Sequence, residues 1–322
     1  MFFLLSLLAC NGTETCDTCD TSSGETYSLV ADQLGDGVLF SAWSDGATLR
    51  MVGGELGGGG GVIAELNGDS LCTETGVTEA PLWWIHGPSE GEWYAVGEVG
   101  TILHSVDGTR TREDVPTTAT LFGTYHDGTD VWAVGGHVNE QKGEIWRKKA
   151  GEWTLFAGDL DGIVFKVWNT WFVGEKTSYQ IVNDELVEHP TNERLLTIRG
   201  RSTEDVWAVG GAASAKVMHF EAGEWVPIDA SILGQPVNGV WTDVDEPVWV
   251  TGNFGTIAHR VGDEWIRAAQ PITNQHFHAV WPHQGEMYFV GGNLFTIGGN
   301  FGTIGKYGAP LESPLSPTVC SR

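Results

Sequence analysis

One short word recurs along this sequence and constrains its fold more than any other feature. Residues 205–211 read Asp-Val-Trp-Ala-Val-Gly-Gly, and residues 130–136 repeat the same seven letters. The variants of this word close on the glycines at positions 53, 97, 135, 174, 210, 252 and 291, at intervals of 36 to 44 residues. Trp and Val favour extended backbone and glycine favours a turn, so each copy predicts a short buried strand. Seven copies about forty residues apart predict an all-β chain folded as a seven-bladed β-propeller.

Each repeat contains four strand-like segments, the number expected of one blade. Residues 237–241, 248–251, 255–260 and 264–267 form the clearest set. The innermost segment carries a large residue near its end in every repeat, namely Trp43, Trp84, Tyr125, Trp168, Ile198, Trp241 and Trp281. Because blades pack face to face, these side chains and most of the 15 Trp residues are predicted to be core rather than a ligand platform.

The two ends of the chain are predicted to close the ring together. The seventh repeat has no outer strand before the chain becomes rich in Pro and Ser, whereas residues 25–30 resemble the outer strand at 223–228. We therefore predict that residues 25–30 complete the seventh antiparallel blade, which removes an exposed sheet edge. The propeller then spans residues 25–307, and residues 308–322 form a C-terminal tail.

The N-terminus is predicted to be an export signal. Residues 1–9 are apolar and end on Ala9 before Cys10, which resembles a bacterial lipoprotein-type signal peptide. The resemblance implies that Cys10 is lipidated after cleavage and anchors the protein to the cell envelope, at the outer membrane. An ordinary secretory signal cut elsewhere is the alternative. Nine residues cannot span a bilayer, which needs about twenty. Residues 10–24 are small, polar and acidic and are predicted to form a flexible tether.

Four cysteines remain once Cys10 is lipidated. Cys16, Cys19, Cys72 and Cys320 allow two disulfides in three connectivities, and an exported compartment permits them. A bond from the tether to the tail that involves Cys320 is one expectation. Cys16 and Cys19 also have the spacing of a metal or redox pair, but no histidine adjoins them, so zinc is the less favoured reading.

The charge of the chain excludes some partners. Its formal net charge is −25, so its surface repels nucleic-acid phosphate and anionic lipid. We therefore expect no nucleic-acid partner and contact with a membrane only through the lipid anchor. The protein is expected to be monomeric.

The repeated words also resemble a known group of proteins. Asp-Val-Trp-Ala-Val-Gly-Gly, the Gly-Thr-Ile-x-His segment at 100–104 and the Gly-Glu-Trp segment at 223–225 are similar to the repeats of bacterial exported β-propeller lipoproteins. These are distantly similar to Asp-box (sialidase-type) and photosystem II assembly-factor propellers. The resemblance implies the propeller fold and export, but it implies no particular activity, because such propellers serve many functions.

Three histidines of the seventh repeat are the candidate site residues. His276 and His278 are two residues apart on an inner strand, so they would share one face of it, and His283 follows them. If that face meets the central channel, the three could line it or bind a metal. The acidic turns at 159–162 and 32–37 could bind calcium weakly, although neither is a complete calcium loop. No other cofactor is predicted.

No set of catalytic residues can be read from the linear sequence, although propeller sites assemble from distant loops. The sequence therefore favours a non-enzymatic module of the cell envelope that binds or scaffolds a protein or a glycan. The alternative is a glycoside hydrolase or lyase at the channel mouth. Two carboxylates about 5–10 Å apart in one funnel would favour that enzyme.

Overall fold

A computed structural model describes residues 25–35, 37–56, 59–293 and 301–320. The predicted signal peptide, the tether and three cysteines (Cys10, Cys16 and Cys19) lie outside these residues. The described chain is all-β and consists of seven sheets. Six sheets have four strands, and the sheet of the first repeat has a fifth strand from the C-terminal tail. The predicted seven-bladed propeller of four-stranded antiparallel blades is confirmed.

The strands are numbered here in chain order. The first fifteen are β1 (Thr26–Leu34), β2 (Val38–Ser44), β3 (Leu49–Gly54), β4 (Gly61–Asn67), β5 (Ser70–Thr75), β6 (Leu82–Ser89), β7 (Glu92–Gly97), β8 (Ile102–Val106), β9 (Thr109–Glu113), β10 (Thr120–His126), β11 (Val131–His137), β12 (Lys142–Lys149), β13 (Glu152–Asp161), β14 (Val164–Trp168) and β15 (Trp171–Gly174). The others are β16 (Thr177–Val182), β17 (Glu185–Pro190), β18 (Leu195–Ser202), β19 (Asp205–Gly210), β20 (Lys216–Glu221), β21 (Glu224–Ile228), β22 (Val237–Trp241), β23 (Val248–Gly252), β24 (Ile257–Val261), β25 (Glu264–Arg267), β26 (His276–His283), β27 (Glu286–Gly292), β28 (Gly302–Gly308) and β29 (Thr318–Val319). Two short 3-10 turns lie at Ser231–Leu233 and Asn253–Gly255.

Each blade is a meander that runs outward from the channel. In blades 1 to 6 the innermost strands are β2, β6, β10, β14, β18 and β22, and each blade continues through the next three strands of the chain. Blade 7 has the order β26, β27, β28 and β1, so its outer strand comes from the N-terminus. The innermost strands contact those of the neighbouring blades around the ring.

The closure predicted from the sequence is confirmed. β1 pairs antiparallel with β28, with Thr26 opposite Gly308 and Ala31 opposite Ile304. The pairing extends to Leu34, four residues beyond the predicted segment, and contains two register shifts. Leu34 is 4% exposed and belongs to the core between blades 7 and 1.

The C-terminal tail fastens the same junction from outside. β29 pairs parallel with β5 of blade 1, and Cys320 forms a disulfide with Cys72 on β5. Before β29 the amide N–H of Leu315 donates to the carbonyl of Val30 at 2.7 Å. The disulfide therefore joins the tail to blade 1. The expectation that Cys320 bonds to the N-terminal tether is wrong.

The recurrence of Asp and Trp in the repeated word has a structural cause. In blade 5 the rings of Trp207 and His219 stack at 4.0 Å, and His219 Nε2 donates to the Asp205 carboxylate at 2.7 Å. Blade 3 uses the same plan with a different third-strand side chain, since the Arg147 guanidinium lies 4.9 Å over Trp132 and pairs with a carboxylate. In both blades an aromatic ring of the second strand stacks on a side chain of the third strand, and a carboxylate holds that side chain in place.

Two of the seven large residues that the sequence predicted to recur on the innermost strands are wrong, as the pairing of those strands shows. Each second strand has one position equivalent to Trp207, which is aromatic in most blades. In five blades the innermost-strand residue opposite that position is the one predicted from the sequence, namely Trp43, Tyr125, Trp168, Trp241 and Trp281. In blade 2 it is His86 and not Trp84, and in blade 5 it is Arg199 and not Ile198. These seven structurally equivalent residues are called the lower layer.

Candidate functional site

Every innermost strand carries a register shift at the same place. The shift skips one residue per blade, and the skipped residues are Phe40, Trp83, Phe122, Phe165, Leu196, Asn238 and His278. A β-bulge of this kind breaks the alternation of side chains and re-aims the extra residue. All seven line one cavity. We call them the bulge ring.

The bulge ring forms a nearly continuous aromatic wall. Phe40 stacks on Trp83 at 4.2 Å, and Trp83 meets the edge of Phe122 at 5.1 Å. Phe122 meets Phe165 at 5.5 Å, and His278 lies 5.5 Å from Phe40 at the other end. The wall therefore runs unbroken from blade 7 through blade 4. Aromatic pairs of this geometry stabilise the fold by more than the apolar area that they bury. The wall is therefore preformed in the free protein.

The cavity has a volume of about 520 Å³ and opens at one face of the ring. Its outer lining comes from residues just before innermost strands, such as Ile163 and Arg194, and from loops between second and third strands, such as those with Val138 and Glu175. Both kinds of segment lie at the end where the innermost strands begin. This end is called the upper face. The volume is within the range of small-ligand sites, roughly 300–1,000 Å³.

Lys166 lies directly after a bulge-ring residue and also lines the cavity. It is 8% exposed, its Nζ donates to the carbonyl of Phe122 at 2.5 Å, and the same nitrogen lies 4.4 Å from the ring of Trp84. Burial lowers the pKa of Lys166 to about 7, and no carboxylate of the described chain pairs with it. A buried ammonium without a counter-ion is costly, so Lys166 is destabilising in the free protein.

Two polar ring atoms near Lys166 also have no partner in the described chain. They are Nε1 of Trp83 and Nε2 of His278. Burial, with smaller contributions from His276 and Lys166, lowers the pKa of His278 to about 3, so its imidazole is neutral. Arg194 adds a positive charge at the mouth, where its guanidinium lies 5.2 Å from the ring of Phe165. The cavity thus joins an apolar wall to unused donors.

The lower layer closes the other half of the channel. The guanidinium of Arg199 lies 4.9 Å over the ring of Trp281, and its Nε atom is buried without a partner. His86 stacks on Tyr125 at 4.3 Å and accepts a hydrogen bond from the amide of His126 at 3.1 Å. Burial is the main reason that the pKa of His86 lies well below its usual value. Side chains of the protein itself fill this half.

The three predicted histidines do not form one cluster. His278 is in the bulge ring, whereas His276 is 5% exposed and packs against Phe254 at 4.8 Å. His283 lies at the far end of the strand, where its Nδ1 is 2.7 Å from the hydroxyl of Ser44. No group of three ligands among the described residues includes any of them. The bulge at His278 is the reason, because it breaks the alternation on which the prediction of a shared face rested.

Other potential sites are less well formed. Among described residues a metal-like grouping occurs at Glu65, Cys72 and Cys320, but its two sulfurs are joined in the disulfide. Among its described residues the cavity lining contains a single carboxylate, Glu175, and so lacks the close pair that would favour the glycoside hydrolase alternative. Calcium at the acidic turns stays a prediction.

Sequence reasoning missed the bulge ring itself. The signal was available, because a large or polar residue stands three positions before each member of the lower layer, for example Phe165 before Trp168. Strict alternation predicts that positions three apart face opposite sides of a sheet, and it gives no reason to place one in the channel. Only the register shows the extra residue.

Comparisons with known proteins identify the fold. No family model matches the chain, and no curated protein matches it. Among solved structures, YCF48 bound to D1 peptide has a TM-score of 0.65 at 12% identity and covers 89% of this chain and 98% of its own. The WD40 β-propeller domain of Doa1 has a TM-score of 0.62 at 13% identity and covers 87% and 96%. YCF48 from Cyanidioschyzon merolae also has a TM-score of 0.62 at 13% identity and covers 88% and 98%. At these identities the likeness concerns the fold.

The described residues include no helix that is long and apolar enough to cross a membrane.

Proposed function

We propose that this protein is a binding module that holds a segment of a partner protein at the upper face of its channel. The observation that carries the proposal is the bulge ring, an aromatic wall around an open cavity of about 520 Å³. Large rigid rings give much contact area at little cost in conformational entropy, and they are enriched where proteins bind one another. Apolar side chains of an extended segment fit this wall.

The lining favours a peptide over a glycan. The described lining offers a sugar few free amide or carboxylate groups, because Asn238 Nδ2 already donates to Asn253 Oδ1 at 3.0 Å and to the Phe277 carbonyl at 2.9 Å, and Glu175 is its single carboxylate. The exposed loops around the mouth add apolar contact area, with Val138 48% and Phe254 55% exposed. YCF48, whose fold is similar, was solved bound to D1 peptide, and this likeness supports a peptide as the ligand of the present protein.

Selection from a displayed peptide library tests the proposal. The purified protein is expected to enrich peptides that carry a large apolar side chain. The variant Phe122→Ala should weaken their binding about tenfold, which corresponds to roughly 1.4 kcal/mol. The matched control is Phe156→Ala, which removes the same ring from outer strand β13, where it packs on Trp132 at 5.3 Å.

Three results would count against this function. They are failure to enrich any peptide, equal loss of binding in both variants, and binding of glycans in place of peptides.

The location of the protein is proposed on separate grounds. We propose that it is exported and held at the bacterial cell envelope, at the outer membrane, by a lipid on Cys10. The disulfide between Cys72 and Cys320 supports an oxidising compartment. Palmitate labelling of the protein in its host should be lost in Cys10→Ser and kept in Cys16→Ser. Equal labelling of wild type and Cys10→Ser would exclude the anchor.

A further inference from the structure

Lys166 places a positive charge in the channel, although the chain has many acidic residues that could neutralise it. The sequence has 42 acidic and only 17 basic residues, so carboxylates are in excess. Lys306 shows the usual outcome, because it is 6% exposed and its Nζ lies 2.9 Å from Glu286. Lys166 is nearly as well buried, but no carboxylate among the described residues pairs with it. A buried ammonium that no described carboxylate neutralises would be stabilised by an anionic group of a ligand.

Lys166 also has donors to spare. An ammonium has three N–H groups, and the structure uses one of them on the carbonyl of Phe122. Nε1 of Trp83 and Nε2 of His278, which line the same cavity, are buried without partners among the described residues. A carboxylate accepts several hydrogen bonds at once, so one such group would take up the unused N–H groups of the ammonium.

We infer that the channel inside the bulge ring is a carboxylate site, and that the bound segment enters it with its own C-terminus, whose carboxylate pairs with Lys166. This inference rests on the proposed peptide-binding function and specifies its ligand.

The position of Lys166 favours a chain end over an acidic side chain. Lys166 follows Phe165 on β14 and its ammonium lies over Trp84, so the aromatic wall stands between this group and the mouth. A terminus can pass the wall while its last side chain remains against the rings. An Asp or Glu within a continuing chain would have to bring its backbone inside the ring as well. The channel narrows further at the lower layer, where Arg199 lies over Trp281.

Two model peptides test the inference by calorimetric titration at pH 6.5. N-acetyl-Ala-Ala-Phe with a free carboxylate is expected to bind wild type at least tenfold more tightly than its C-terminal amide. In Lys166→Met the two peptides should bind within twofold of each other. The control Arg267→Met removes a positive charge from an exposed position on outer strand β25, and it should keep the wild-type preference.

The outcomes separate this inference from the proposed function. Equal binding of acid and amide to wild type would overturn the carboxylate site and leave peptide binding intact. An unchanged preference for the acid in Lys166→Met would also overturn it. Failure of both peptides to bind would contradict peptide binding at the aromatic wall, and the carboxylate inference with it. Tighter binding of decanoate than of the acid peptide would assign the site to a fatty acid.

Discussion

The bulge ring and the lower layer are both built largely from aromatic residues of the innermost strands, three positions apart, yet they have different surroundings. Most rings of the lower layer pack between blades, whereas Arg199 of blade 5 contacts Trp281 of blade 7 across the channel. A Cβ added to Gly87 would lie 2.7 Å from the ring of Trp43, and one added to Gly200 would lie 2.5 Å from the ring of Trp168. Glycine on the next blade therefore makes room for these rings. The bulge ring instead contacts itself and faces the cavity.

The difference shows that a recurring aromatic need not have one role in a repeat protein. One extra residue per strand redirects a side chain from the interface between blades to the central channel. The lower layer then contributes stability, and the bulge ring supplies a surface at which a ligand can replace water. The following predictions would break or sharpen this division, and they run from the largest expected effect to the smallest.

Truncation should be far more costly in the lower layer than in the bulge ring. Trp168→Ala should lower the free energy of unfolding by about 3–5 kcal/mol, because the ring is 8% exposed and the structure has no other group to fill the space. Phe122→Ala should cost about 1 kcal/mol, since its ring is only partly buried and borders an existing cavity. Urea unfolding of both variants measures the difference, and equal losses would contradict the division.

Removal of the cavity's unpaired charge should stabilise the free protein. Lys166→Met keeps most of the side-chain volume and removes a buried ammonium, so we expect a gain of about 3 kcal/mol at pH 6.5. The pKa of Lys166 is about 7 in the folded state against 10.5 as its ordinary value. The cost of the charge is therefore complete below pH 7, declines as the pH rises, and disappears above pH 10.5.

Denaturant unfolding at pH 6.5 and at pH 10.5 measures this effect, with the exposed Lys149→Met as the control. The advantage of the Lys166→Met variant should be present at the lower pH and absent at the higher one. A variant less stable than wild type at pH 6.5 would show that Lys166 is a structural residue of the ring and not a site left open for a ligand.

His86 should make the lower layer sensitive to acid. Its folded-state pKa lies well below 6.5, mainly through burial and also through Arg199. As the pH falls below 6.5 the unfolded chain binds a proton at this position and the folded chain does not, so stability falls. His86→Phe, which restores an aromatic residue as in most other blades, should reduce the loss of stability between pH 7.5 and 4.5. Thermal unfolding of both proteins at the two pH values measures it, and an identical loss in the variant would exclude this role.

Much of the fold could be predicted from the sequence because it rests on local words. Asp205 and Trp207 illustrate why these residue types recur: the Trp ring stacks on His219 of the third strand, and the Asp carboxylate holds that side chain in place. Ring closure was predictable as well, because residues 25–30 resemble an outer strand and the seventh repeat lacks one. The extension of that strand to Leu34 depends on register shifts, which follow from packing against blade 1 and leave no local signal.

The site was less predictable, because it depends on register and on contacts across the ring. The place of His86 in the lower layer, where the sequence predicted Trp84, depends on the strand register, which sets His86 opposite Tyr94. Likewise, Lys166 reads as a surface residue in a sequence. Its burial and its contact with Trp84 of blade 2 appear only once seven inner strands surround one axis.

The division between the two layers is tested most directly by fluorine NMR of the protein labelled with 5-fluorotryptophan, before and after addition of N-acetyl-Ala-Ala-Phe. Single Trp→Phe variants assign the resonances of Trp83 in the bulge ring and of Trp43 and Trp168 in the lower layer. The resonance of Trp83 should shift on saturation, because its ring lines the cavity, while those of Trp43 and Trp168 should stay in place. A shift of Trp43 or Trp168 without one of Trp83, or no shift at all, would contradict the assignment of the bulge ring as the ligand site.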